Sequence, residues 1–203
     1  MIVPRLAVLL IAAVVALSLP ASANGNDDSQ PTSQMTTGST LPRNVVLTLS
    51  EVKQVLPEMS QETAAGEDET ALGTPRGSRG VTYAADGGSR RVVISVAQYQ
   101  SAQDASSTYQ TAVQASLAAP GGVGEALANL GEQAFIGASA QGGESHVGAG
   151  ALYGDLIVNV TLQGYDGTPA NNARVTELIR MEAAAATRAL QLSGSTFLGG
   201  FWS

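Results

Sequence analysis

The chain has 203 residues, with 10 Lys and Arg against 17 Asp and Glu, a formal net charge of −7 and no cysteine. The missing thiols exclude disulfides, thiolate nucleophiles and sulfur-ligated metals together. The acidic balance supplies no clustered cations for nucleic acid or an anionic membrane, and the pairs Arg76/Arg79 and Arg90/Arg91 read as solvated charges beside loops.

Residues 1–23 carry one cation, Arg5, then an apolar run from Leu6 to Leu19 and the triplet Ala21-Ser22-Ala23. This is the order of a secretory signal peptide, and the apolar run is shorter than the roughly 20 residues a membrane-spanning helix needs. Cleavage after Ala23 is expected, with export to the periplasm, the cell envelope or the medium. Contact with a membrane is expected only through an uncleaved signal. Loss of Arg5 leaves the mature chain one unit more acidic. Residues 24–43 are rich in Ser, Thr, Asn, Gly and Pro, have little to bury, and are read as a disordered leader.

The folded part is expected at 44–193. In "LTLSEVKQVLPE", Thr48 is a predicted N-cap, with Glu51 three residues on and Pro57 closing a short helix. A loop follows from Glu58 to Arg79. The runs "GVTYAA" and "RRVVISVAQY", joined by Asp86-Gly87-Gly88-Ser89, predict a hairpin. Ala102, Ala105, Tyr109, Ala112, Val113 and Ser116 recur at helical spacing until Pro120-Gly121-Gly122 stops them. "GEALANL" reads as a brief helical turn, with Gly131 as its stop. The candidate strands "EQAFIGAS", "ESHVGAGALY" and "DLIVNVTLQ" come next, separated by glycine turns. A final helix is capped by Thr168, starts at Pro169 and carries a stripe of Val175, Leu178, Ile179, Ala183, Ala186 and Leu190. Residues 194–203 form an aromatic tail. The sum is one α+β domain: a mostly antiparallel sheet of about five strands, with helices packed on one face.

Chemistry is sparse. The single histidine, His146, neighbours Ser145, but adjacent strand residues point to opposite faces, so they do not form a nucleophile–base pair. His146 is expected to be an exposed or half-exposed strand residue. "GEDETA" lacks the ligand spacing of a calcium loop, and "GAGALYG" places Tyr153 where a dinucleotide fingerprint needs its third glycine. Asn159-Val160-Thr161 matches a glycosylation triplet but falls inside a predicted strand. No catalytic residue, cofactor or metal is assigned. The residues expected to meet a small ligand or an envelope protein are Tyr83, Tyr99, Tyr109, Phe135, Tyr153, Phe201 and Trp202. A monomer is expected. A hydrolase whose carboxylates converge only in space, and a structural protein using the "FLGGFW" tail as its contact, are the alternatives.

One likeness to a known group is carried by Leu130, Gly131, Glu132, Ala134 and Phe135, and by the run Gly154 to Val160. With the helix "LTLSEVKQVLP" and the last Ala-rich helix, these resemble a broad group of actinobacterial exported proteins. The group includes mycobacterial-type lipoproteins and the extracellular sensor-like domains of some membrane kinases. The resemblance implies an α+β domain outside the cytoplasmic membrane that senses or binds, with no shared catalytic residues. The absent lipobox cysteine and the absent disulfide pair are departures from that pattern.

Overall fold

Val92, Ile94 and Val96 alternate with Val93, Ser95 and Ala97, and a period of two means that each set faces its own side of a sheet. In the computed structural model, which describes residues 39–68, 71–118, 122–141 and 144–195, this run is a central strand. The strands are β1 (Ser39–Thr40), β2 (Met59–Gly66), β3 (Gly77–Ala85), β4 (Arg91–Gln98), β5 (Val123–Ala126), β6 (Gln133–Gln141), β7 (Glu144–Tyr153) and β8 (Leu156–Gln163). They form an 8-stranded sheet in the order β1-β3-β4-β8-β7-β6-β5, with β2 also on β3. Every pairing is antiparallel except β1 with β3. The helices are α1 (Leu49–Val52), α2 (Ala102–Ala118) and α3 (Pro169–Ser195), preceded by a 3-10 turn at Arg43–Val45.

The α+β class and the antiparallel sheet agree with the sequence reading, and the expected strands are β3, β4, β6, β7 and β8. Strands were added where other structure was expected. The stretch read as a loop contains β2, and the supposed helical turn contains β5. Both are edge strands with almost wholly exposed residues, so neither carries the apolar alternation that marks a half-buried strand. The ordered part also reaches back before residue 44: β1 pairs with β3, the Leu41 amide donates to the Ser78 carbonyl at 3.0 Å, and Leu41 is buried. Residues 1–38 and 196–203 lie outside the described part.

Helices on one face is the expectation that fails. The main core lies between one face and α3 with the 43–56 segment, and it holds Val92, Ile94, Val96, Val158, Val160, Leu162, Val175, Leu178 and Ile179. A second core of Ala97, Tyr99, Ala105, Tyr109, Phe135, Leu152 and Ile157 lies on the opposite face under α2. Each strand gives that face only one or two apolar residues, which read in sequence as stray members of a wet face. Register collects them, because Ala97 and Leu152 both sit opposite Ile157. At about 1.5–3 kcal/mol for each large aliphatic side chain taken from water, the α3 side dominates stability and the α2 side is the lighter layer.

The N-terminal segment is clipped to the α3 side by polar ties. Thr48 caps α1 as expected, in a reciprocal capping box with Glu51. The Tyr83 hydroxyl donates to the Leu47 carbonyl at 2.7 Å, and Arg43 Nη2 donates to both the Tyr83 hydroxyl (2.7 Å) and Glu62 (2.8 Å). At the start of α3, Thr168 Oγ1 accepts from the Asn171 amide at 3.4 Å, with Pro169 in the first helical position.

Candidate functional site

α2 lies on the sheet through small residues. Ala105 and Ala112 are buried against it, and the Tyr109 hydroxyl reaches the Gly150 carbonyl at 3.3 Å. The helix touches β7, β8 and β5, and its Tyr109 shares a core cluster with Phe135 of β6. Between α2 and the start of β6 is an open groove of about 940 Å³. Its apolar part is Phe135, Tyr109, Val113, Ala126, Leu127 and Ala134, and its rim is Ser107, Gln110, Thr111, Gln114 and Gln133. One turn after Val113, Leu117 continues the same helical face at 45% exposure.

Phe135 sets the groove's floor. Its ring lies so close to Gly124 that a Cβ at that position would collide with it, so only glycine lets the edge strand close over the ring. Glu132 is the one carboxylate among the described lining residues, and its Oε1 accepts from the Gly154 amide at 2.8 Å. It clasps the turn between β7 and β8. The carboxylate pair that glycoside-type hydrolysis uses is not assembled in this groove.

Of the residues expected to meet a ligand, Tyr109 and Phe135 come together here. Tyr99 is beneath α2 in the same core, but its hydroxyl donates to the Leu72 carbonyl at 2.7 Å and it does not line the groove. Tyr83 is wholly buried on the other face in the tie to Leu47. Tyr153 packs half-buried against the main core beside Gly131. Burial pushes the phenols of Tyr83, Tyr99, Tyr109 and Tyr153 above their ordinary range, so all of them are neutral hydrogen-bonding groups. Phe201 and Trp202 lie outside the described residues. Ala126 and Leu127 were missed because that stretch was read as a helical turn, and Val113 because it was read only as part of the apolar stripe of α2.

Two further polar places are structural. A hollow of about 440 Å³ holds Arg90 and Arg174, but Arg90 sits over the Tyr165 ring at 5.1 Å and Arg174 is 3.9 Å from Glu58. Asp166 and Glu144 line it too, so its cations already face acids. His146, expected to be at least half-exposed, is buried; desolvation lowers its pKa, opposed by Glu144. The strand that carries it is covered on both faces, where a single-faced sheet would have left it wet. Among the described residues no group of three or more acids and histidines could hold a metal ion, and no helix is long and apolar enough to cross a membrane.

Glu182 is the acid that sequence reading overlooked. It has 0% exposure in the middle of α3, its Oε2 accepts from the Leu47 amide at 2.8 Å, and its Oε1 has no hydrogen-bond partner. Burial pushes its carboxyl up to about 8, with the Leu47 amide working the other way, Glu51 adding to the rise and Arg43 opposing it.

No protein-family model matches the chain, and no curated protein sequence matches it. Among solved structures it is similar to the extracellular domain of PknH from Mycobacterium tuberculosis, at 15% identity and a TM-score of 0.49, covering 69% of this chain and 93% of that one. The likeness is coarse and does not place the chain in a family.

Proposed function

We propose that the protein is an exported, non-catalytic binding domain, and that its ligand or partner occupies the groove between α2 and β5–β6. The observation that supports this is the groove itself. It combines about 940 Å³, an aromatic floor and a polar rim whose one charged member is Glu132, the composition of sites that take up apolar molecules and orient them by a few polar groups. Export is supported by the charge, apolar and small-residue order of residues 1–23.

A neutral solvatochromic dye such as Nile red tests the groove directly. Its fluorescence is expected to rise on binding the purified protein. Val113→Glu, placed on the half-buried wall, is expected to weaken binding by about tenfold or more, because the bound dye would have to desolvate the new charge. Circular dichroism confirms that the variant folds. Unchanged dye affinity in a folded Val113→Glu protein would remove the groove from consideration.

A further inference from the structure

Among the described residues β5 is an edge strand paired with β6 alone, and all of its residues are exposed, Val123 to 64%. The Leu127 amide donates to the Ala134 carbonyl at 2.9 Å, and Ala126 stands opposite Phe135. Antiparallel ladders alternate pairs that exchange hydrogen bonds with pairs that do not. Counting back from Leu127, Glu125 and Val123 point their backbone groups at β6, while Gly124 and Ala126 turn their N–H and C=O groups outward.

The same strand has a hollow on each side. On the α2 face is the groove, which Ala126 lines. On the α3 face a smaller hollow of about 250 Å³ is lined by Val123, Glu125, Ile136, Ala138, Gly167 and Asn172 among others. A compact molecule fills one of these. An extended chain laid along β5 sends successive side chains to opposite faces and so reaches both, while its backbone meets Gly124 and Ala126.

The opposite edge is protected against such pairing. β2 is broken from regular register between Met59 and Gln61 and again between Glu62 and Ala64, Arg43 holds Glu62, and β1 occupies the far end of β3. Among the described residues β5 has neither a register break nor a strand across its outer edge, and its one charge is Glu125. Charge narrows the occupant further. Glu125 and Glu132 border the two hollows, and no Lys, Arg or His is among their described lining residues. Pairing of β5 with a second copy of itself would bring the two Glu125 carboxylates close together, which is unfavourable.

We infer that the occupant is an extended polypeptide segment of a partner protein that adds to β5 as a new edge strand. It places one alternating set of side chains, apolar, in the groove on the α2 face, and the intervening set, with a basic residue near Glu125, in the smaller hollow on the α3 face. This rests on the groove reading above and names its ligand class.

The test uses a fluorescent synthetic peptide alternating Val with Lys and Thr, the same peptide with Glu for Lys, and a third with alternate amides N-methylated. Anisotropy with the purified protein is expected to show binding of the Lys peptide, about tenfold or more weakened by N-methylation or by Glu for Lys. Ala126→Pro removes one outward donor and leaves the bonds of β5 to β6 in place, so it is expected to lose the peptide while remaining folded by circular dichroism. Glu125→Lys is expected to reverse the charge preference.

If Nile red binds and Val113→Glu abolishes that binding, yet no peptide binds or competes, strand addition is overturned and the groove reading stands. If neither dye nor peptide binds, both fall. Self-association in sedimentation that Ala126→Pro abolishes, without peptide binding, would make the occupant a second copy and overturn the proposal.

Discussion

Glu182 occupies a position that helical geometry assigns to the core, four residues after Leu178 and three after Ile179, on the stripe that Ala186 continues. Its presence there was visible in the sequence as an acid interrupting an apolar stripe; that it meets the Leu47 amide, 135 positions away, was not. The folded carboxyl titrates near 8 and the unfolded one near 4.5. Between those values the folded state keeps a proton that the unfolded chain releases, so stability falls as pH rises through that window and is fully retained below it. Acidification from pH 8 to 5 therefore raises the contribution of Glu182. Glu182→Gln, which keeps an acceptor for Leu47, is expected to raise Tm at pH 8 by about 2–10 °C and to flatten the Tm profile between pH 5 and pH 8. A variant with the wild-type pH profile would show that Glu182 is not the group responsible. Gly131 shows the opposite side of the residue scale. Its positive φ was foreseen, and it is real at 61°, but it turns the chain from β5 into β6 and ends no helix. A Cβ there would collide with the Leu152 carbonyl, a neighbour only the β6–β7 pairing supplies.

At the level of elements, legibility followed burial. α3 was readable from cap to stripe because its own residues specify the face it buries. β4 and β8 were readable because their alternate residues, Val92, Ile94 and Val96 in one and Leu156, Val158, Val160 and Leu162 in the other, all face the main core. β2 and β5 were not, because an exposed edge strand is held by backbone bonds to a neighbour and its side chains need carry no pattern. α1 is the short element whose local signal mattered most. Its few residues make it marginal as a helix, and the Thr48–Glu51 capping box satisfies amides that would otherwise lack partners. Thr48→Ala is expected to cost about 1 kcal/mol, read as a lower urea midpoint with an unchanged m-value. A neutral result would mean that the 43–56 segment is held by its burial and the Tyr83 tie alone. The groove is likewise a product of elements in combination: Tyr109 belongs to α2, Phe135 to β6 and Ala126 to β5.

Across the whole molecule, two cores share one sheet, so loss of its strands would dismantle both layers together. Tyr83 reports from the α3 side and Tyr109 from the α2 side. Near-UV dichroism of the tyrosines and far-UV dichroism of the backbone are therefore expected to trace one coincident thermal transition. Separate midpoints would show that the lighter α2 layer opens on its own. The sequence by itself determined the acidic character, the absence of thiol chemistry, the α+β class, the central strands and the closing helix. Each of those depends on composition or on a residue's near neighbours in the chain. Only the tertiary structure decided that helices cover both faces, that the edges carry additional strands, and that Tyr109 and Phe135 meet while Tyr83 and Tyr153 stand apart from them. These depend on which strands pair and in what register, and such pairings join residues far apart in the sequence, where local periodicity holds no information about them.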